Sequence, residues 1–159
     1  MPDLPHSLLL AIVPALSTLR AEQRSGAVCV WCPRSLPPGE GIDLSPDGRL
    51  RTCPPCHTIQ TRVLVTYLDW YDHGITCLYC PLGPCERGEV LGAQHLAARE
   101  RAGKPELSCV GCRTPIAPGE AIRPHLWQGM SGPVHGYLHA RRCPTSPAPY
   151  GVVGATHAP

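Results

Sequence analysis

The sequence predicts a small, metal-stabilised α+β protein with short β-hairpins and two to three helices. The 159-residue chain has no Phe, only 5% aromatic residues, and 16 Gly and 20 Pro, so it holds few of the side chains that fill a large core. It also has ten cysteines, most of them in C-x2-C pairs, and an internal repeat that begins with such a pair. Modules with so little apolar surface need metals or disulfides to offset chain entropy.

The first expected element is a helical cap over residues 1–25. Its apolar residues recur at a spacing that places them on one helical face: Leu8, Leu9, Ile12, Leu16 and Leu19. Pro14 interrupts this face, so the segment is expected to form one short helix or two. The cap is expected to cover the first metal module, over residues 26–72.

Two longer helices are predicted next. The first comes directly after the CPPC of residues 53–56, and Gly74 is expected to end it. Its 3.6-residue pattern comprises Ile59, Val63, Leu64, Tyr67, Leu68 and Tyr71. The second is expected from about Glu86 to Ala102, because acidic residues open the stretch and basic residues close it, as the helix dipole favours. Its weak apolar face comprises Val90, Leu91, Ala93, Leu96 and Ala97.

An internal repeat indicates that one structural device occurs twice. Residues 29–42 read CVWCPRSLPPGEGI and residues 109–122 read CVGCRTPIAPGEAI, with seven identical positions at a constant offset of 80. Each copy predicts a C-x2-C knuckle followed by a Pro-Gly-Glu turn into a strand. After the second copy, strands are expected around Ala121 to Trp127 and Val134 to Leu138, joined by a Gly-rich turn.

The C-x2-C pairs predict zinc sites, because such a knuckle turns two thiolates toward one point and a second pair completes a tetrahedron. In the first module the spacing is C-x2-C-x20-C-x2-C, which is typical of structural zinc. The predicted ligands of site 1 are Cys29, Cys32, Cys53 and Cys56. The alternatives are a disulfide framework and a redox-active CPPC, but the latter needs a thioredoxin-like βαβ context that the sequence lacks.

The third module, over residues 105–143, begins with a knuckle and closes with YLHARRC. The predicted ligands of site 3 are Cys109, Cys112, His139 and Cys143. The last two form an H-x3-C pair, and His125 and His135 compete for the place of His139. Residues 144–159 lack periodicity and are expected to form a flexible tail.

The middle module, over residues 73–104, leaves three cysteines that need a fourth ligand. His73 precedes Cys77 by the same spacing that separates the H-x3-C pair of site 3. Site 2 is therefore predicted to comprise His73, Cys77, Cys80 and Cys85. His95 is the alternative fourth ligand, but a short contiguous loop closes with less loss of entropy than one that reaches residue 95.

A rival partition pairs Cys77 and Cys80 with Cys109 and Cys112. It leaves two thiols unused and breaks the repeat, whereas the preferred partition fills three tetrahedra with ten cysteines and two histidines. Three Zn²⁺ ions are thus predicted as cofactors, and folding is expected to depend on them.

The expected compartment is the cytoplasm. Residues 7–16 have the length of a signal-peptide apolar region, but no Lys or Arg precedes them and no cleavage site is convincing. No apolar run approaches the roughly 20 residues of a membrane helix, so no membrane partner is expected. The formal charge is +2, but ten thiolates and three Zn²⁺ ions would bring the metal-bound chain to about −2.

These motifs resemble known zinc folds. The knuckle, Pro-Gly-Glu turn, hairpin and closing CPPCH before a helix, in residues 29–71, resemble a treble-clef or zinc-ribbon module. The third module resembles the same class with a closing His and Cys, as in LIM-like and PARP-type fingers. The whole chain also resembles uncharacterised cysteine-rich actinobacterial zinc-finger proteins. This resemblance implies tandem treble-clef or zinc-ribbon-like knuckles, and it implies no activity because such folds host many functions.

The predicted function is that of a structural zinc protein that acts as a binding or adaptor module and not as an enzyme. A catalytic zinc keeps an open position, and the sequence has no HExxH or zinc-deaminase motif. The alternative is a degenerate HNH-like treble-clef nuclease, since Asp72-His73 is similar to the DH of that motif. No small-molecule substrate is expected.

The predicted partner is either a nucleic acid or a protein. A nucleic acid would contact Arg49, Arg51, Arg141, Arg142 and the stacking face of Trp127. A protein would be anchored by Trp31, Trp70 or Tyr79, of which Trp70 is the one most expected in the core.

Overall fold

A computed structural model describes residue 8, residue 10 and residues 12–80, 83, 85–129 and 132–140, with the side chains of 132 and 133 left aside. In chain order the elements are a 3₁₀ turn (Leu16–Thr18), α1 (Ala21–Arg24), β1 (Ile42–Asp43), β2 (Arg51–Thr52), α2 (Pro54–Thr76), α3 (Glu86–Arg101), β3 (Ile122–Gly129) and β4 (Gly132–His139). The predicted α+β class is confirmed, and the elements bounded within the described residues comprise two antiparallel two-stranded hairpins and three helices. Leu9, Arg141, Arg142, Cys143 and the predicted tail lie outside the described residues.

The two copies of the repeat have the same backbone structure. In the first knuckle the Cys29 N–H donates to the Arg34 carbonyl at 2.9 Å, and in the second the Cys109 N–H donates to the Thr114 carbonyl at 2.9 Å. Residues 28 and 35 form an isolated bridge that recurs between 108 and 115. The sequence repeat is therefore a repeat of structure.

The Pro-Gly-Glu turns also match. Gly39 has φ +82° and Gly119 has φ +81°, a conformation that residues with a Cβ rarely adopt. An aliphatic residue that precedes each turn is buried: Leu36 in the first copy and Ile116 in the second. The turns lead into hairpins in which Ile42 pairs with Thr52 and Ile122 with His139.

Helix α2 runs further than predicted. It begins inside the CPPC, with Pro54 and Pro55 at its first positions. Proline is tolerated there because the N–H groups of the first turn have no partner within the helix. Gly74 does not end it, because the Cys77 N–H still donates to the His73 carbonyl at 2.9 Å. Of the predicted buried face, Val63, Leu64 and Tyr67 are buried, whereas Ile59 is 40% exposed.

Helix α3 has nearly the predicted bounds, Glu86–Arg101, but a different buried face. Val90 and Leu96, expected on the apolar face, are about two-fifths exposed. The buried positions are Gly88, Leu91, Gly92, His95 and Ala98. Small residues face α2 because the helices approach closely: a Cβ on Gly92 would lie 3.1 Å from the Trp70 ring. Of the expected face, Leu91 alone is buried, and the close contact with Trp70 instead brings Gly92 to the buried side.

The N-terminal segment packs on the first module. Between Leu16 and Arg24 it forms a 3₁₀ turn followed by the short helix α1, and not one continuous helix. Ile12 and Leu19 are buried with Val30 and Leu64 of the first core. Leu16, expected on the same face, is 59% exposed and is the first residue of the 3₁₀ turn.

Helix α2 joins two apolar cores. Leu64 belongs to the core under the first hairpin, whereas Tyr67 and Trp70 belong to the core under the second. The Tyr67 hydroxyl donates to the carbonyl of His125 at 2.7 Å, and it accepts from the N–H of Gly136 at 3.3 Å. One helix thus ties the first module to the third. No helix in the described part of the chain is long and apolar enough to cross a membrane.

Candidate metal centres

The structure gathers those predicted ligands that lie among the described residues into three separate groups. Within each group the ligand atoms all lie within 4.8 Å of one another. The groups are Cys29, Cys32, Cys53 and Cys56; His73, Cys77, Cys80 and Cys85; and Cys109, Cys112 and His139. The nine described cysteines all carry free thiols, so the disulfide alternative has no support among them.

The spacing between ligand atoms fits a tetrahedral ion. The Sγ atoms of Cys32 and Cys53 are 3.8 Å apart, and Cys85 Sγ lies 3.8 Å from Cys77 Sγ and 3.7 Å from Cys80 Sγ. A tetrahedron with Zn–S bonds of about 2.3 Å has edges of about 3.8 Å, whereas disulfide sulfurs are about 2.05 Å apart. The sulfurs therefore stand at the distance that a shared Zn²⁺ requires.

Site 1 lies between the first knuckle and the start of α2. Cys53 immediately precedes α2, and the Thr52 hydroxyl lies 3.5 Å from Cys29 Sγ. Burial raises the pKa of the Cys29 thiol, but hydrogen bonds from Thr52 and backbone amides outweigh it and lower the pKa to about 6. Burial and the neighbouring thiols raise the pKa of Cys56. Four thiolates cannot share this space without a cation, and a divalent ion removes the conflict.

Site 2 lies at the corner between α2 and α3. His73 is in the last turn of α2, Cys77 follows that helix and Cys85 caps α3, where its Sγ accepts from the Gly88 N–H at 3.3 Å. The positive end of the helix dipole favours a thiolate there. The Nε2 of His73 lies 3.1 Å from Cys85 Sγ. All four ligands are partly exposed, so this is the most accessible of the three groups.

His95, the alternative fourth ligand of site 2, lies elsewhere. It is fully buried, with Nε2 2.7 Å from the Tyr137 hydroxyl and Nδ1 3.2 Å from the Thr66 hydroxyl. Burial, with a smaller effect of the Arg99 cation, lowers its pKa to about 4. The structure therefore places His73, and not His95, among the thiols of site 2.

Site 3 lies between the second knuckle and the end of β4. Cys112 Sγ is 3.5 Å from the Nδ1 of His139, close to the edge of about 3.6 Å that Zn–S and Zn–N bonds imply. Of the two competing histidines, His125 stacks on Trp127 and His135 packs against the ring of Tyr67. The predicted fourth ligand, Cys143, lies outside the described residues.

This arrangement follows the preferred partition and not the rival one. Cys77 and Cys80 are grouped with His73 and Cys85, whereas Cys109 and Cys112 are grouped with His139. That each group holds an ion stays a prediction.

A carboxylate supports the histidine of site 3. Glu120, in the second Pro-Gly-Glu turn, has Oε2 3.6 Å from the Nε2 of His139 and accepts from the Ala117 N–H at 3.0 Å. At this distance the carboxylate acts as a negative charge beside the far nitrogen, and a carboxylate in that position raises the basicity of a ligand histidine. The sequence showed this glutamate only as part of the repeat, and nothing in its spacing indicated the contact.

Glu120→Gln is expected to weaken zinc binding at site 3 by roughly 10- to 100-fold, because the amide keeps the shape of the turn but removes the charge. Glu40→Gln is the matched control, since Glu40 holds the same place in the first repeat and site 1 contains no histidine. Competitive titration with a chelator, followed by native mass spectrometry, measures both. Equal losses in the two variants would contradict the proposed role of Glu120.

A buried polar network around His95 was not predicted from the sequence. The Tyr137 hydroxyl contacts His95 and accepts from Arg99 at 3.1 Å, and the Arg99 guanidinium also donates to the Pro105 carbonyl at 2.7 Å. These residues come from α3, β4 and the segment between them. Neither periodicity nor ligand spacing marks such a network, because its members are distant in sequence.

Comparison with models of known protein families, with curated proteins and with solved structures finds no match to the chain.

Proposed function

We propose that the chain is a structural zinc protein with three closed zinc sites, and that it acts as a binding or adaptor module and catalyses no reaction. The observation that carries this proposal is the set of three Cys/His groups with ligand atoms at tetrahedral distances. On this proposal the first and third modules are treble-clef or zinc-ribbon-like units and the compartment is the reducing cytoplasm.

The donor chemistry favours Zn²⁺. Thiolates with one imidazole are soft ligands that select zinc over calcium, magnesium or manganese, which prefer oxygen. The sulfur spacing of 3.7–3.8 Å suits a four-coordinate ion. Sites 1 and 2 each supply four protein ligands and leave no position for a substrate, and Cys143 would close site 3 in the same way.

The nuclease alternative loses its main support. It needed the Asp72-His73 dipeptide as catalytic machinery, but His73 lies 3.1 Å from Cys85 Sγ within site 2. A histidine bound to a structural ion cannot act as a general base.

The adaptor role is supported by large apolar side chains of the metal modules that are exposed to solvent. At site 2 the two residues inside the C-x2-C, Leu78 and Tyr79, are 87% and 72% exposed. An exposed aromatic on a rigid turn can anchor a partner at low entropic cost. Trp70, by contrast, is buried in the second core and is no anchor.

Native mass spectrometry of the purified chain tests the proposal. We expect three zinc ions per chain, with the proton loss that thiolate ligation requires. Two ions would favour the rival partition. A metal-free chain, or one whose cysteines are oxidised to disulfides, would overturn the proposal.

A further inference from the structure

We propose that site 2 is a site of reversible oxidation, at which a peroxide joins Cys85 to a thiol of the Cys77–Cys80 knuckle and releases the zinc ion. Sites 1 and 3 keep their ions and hold the fold together. The inference rests on the proposed function, because it assigns a regulatory role to one of the three proposed zinc sites.

Sites 1 and 3 are built into apolar cores, and site 2 is not. Cys29 and Cys53 are buried in one cluster with Leu36, and Cys109 is buried in the second core. Among the residues that the structure describes, no ligand of site 2 belongs to any apolar cluster. The ion of site 2 can therefore leave without uncovering a core, whereas loss of either other ion exposes apolar surface to water.

The thiols of site 2 are the ones that a solute reaches most easily. Sites 1 and 3 each contain two buried ligands, whereas all four ligands of site 2 are partly exposed. The two residues between its paired cysteines, Leu78 and Tyr79, are 87% and 72% exposed, so the knuckle itself extends into solvent. Oxidation of cysteine follows thiolate character and exposure, so a peroxide meets site 2 first.

Cys85 is placed to react and then to be resolved by a neighbour. Its Sγ accepts from the Gly88 N–H at 3.3 Å at the start of α3, where the positive end of the helix dipole stabilises a thiolate. The Sγ of Cys80 lies 3.7 Å away and that of Cys77 lies 3.8 Å away. A disulfide of about 2.05 Å requires either pair to close by less than about 2 Å.

The reaction balances with hydrogen peroxide as the oxidant. The Cys85 thiolate attacks a peroxide oxygen, the O–O bond breaks, and a sulfenic acid and a hydroxide ion form. The knuckle thiolate then attacks the Cys85 sulfur, forms the S–S bond and displaces a second hydroxide. Two thiolates lose two electrons in all, and the two hydroxides take two protons from solvent to become water. Zn²⁺ is left with His73 and one thiolate, which are too few ligands to retain it.

Titration of the zinc-loaded full chain with hydrogen peroxide, in the presence of a zinc-responsive dye, tests the inference. We expect a first phase that releases one zinc ion per chain and keeps the near-ultraviolet circular dichroism, because both cores retain their ions. Peptide mapping after that phase is expected to find Cys85 in a disulfide with Cys80 or Cys77 and the cysteines of site 1 reduced. A thiol reductant with added zinc is expected to restore the third ion, because disulfide exchange reverses the oxidation.

Cys85→His is expected to keep the ion, since imidazole is also a zinc ligand, and to abolish the first phase of release. Cys56→His is the matched control, because it makes the same exchange at site 1 and should leave that phase unchanged. Zinc content is measured for both variants, and the mapping of the unchanged chain decides the inference where a variant fails to fold.

Three outcomes overturn this inference alone. They are release of all the ions in one phase, a first disulfide that does not include Cys85, and retention of every ion until the methionines are oxidised. A purified chain that holds no zinc before peroxide is added overturns the proposed function instead.

Discussion

Removal of zinc is expected to unfold the chain in a single loss of tertiary structure. The apolar cores are small, and each borders a metal group: Cys29 and Cys53 lie in a buried cluster with Leu36, and Cys109 lies in the second core. Structural zinc contributes about 10–16 kcal/mol in zinc-finger peptides, which is as large as the roughly 5–15 kcal/mol of net stability that a whole domain retains. Near-ultraviolet circular dichroism and thermal unfolding, recorded during titration with a strong chelator under reducing conditions, measure the effect.

Refolding on addition of zinc is the control for that experiment, because it separates metal loss from irreversible oxidation of the thiols. Mg²⁺ should not restore the fold, since it prefers oxygen ligands. A chain that keeps its near-ultraviolet signal and its melting transition after complete chelation would contradict the structural role of the metal.

Tyr67→Phe is expected to destabilise the zinc-loaded chain by about 2–3 kcal/mol. The substitution keeps the ring, which is 1% exposed, but removes a hydroxyl that lies within hydrogen-bond distance of the N–H and C=O of both His125 and Gly136. These groups would remain buried without that partner, and each orphaned group costs about 1–3 kcal/mol. Urea unfolding at saturating zinc measures the change.

Tyr79→Phe is the control for this prediction, since its side chain is 72% exposed and its change should stay within about 0.5 kcal/mol. The zinc count of Tyr67→Phe should equal that of the unchanged chain, because no ligand is altered. An equal stability of the two variants would show that the Tyr67 hydroxyl does not tie α2 to the third module.

The elements that the sequence predicted well share a local cause. The repeat, the two long helices and the second hairpin each depend on residues close together in the chain. The Pro-Gly-Glu turn, for example, has the same glycine conformation in both copies of the repeat, at Gly39 and Gly119. The elements predicted less well depend on packing. The last turn of α2 continues through Gly74, and the Cys77 N–H caps it by donating to the His73 carbonyl. The buried face of α3 is set by the close approach of this helix to Trp70.

The sequence by itself determined which cysteines and histidines could serve as ligands, because a knuckle brings its own two thiolates together through short-range geometry. Only the tertiary structure decided which knuckle meets which second pair of ligands. It placed His73 with Cys85 and buried His95 against Tyr137, and it put Glu120 beside His139. Those choices depend on how helices and hairpins pack across long stretches of chain, where the gain from burial and the cost of loop closure are set by the whole fold.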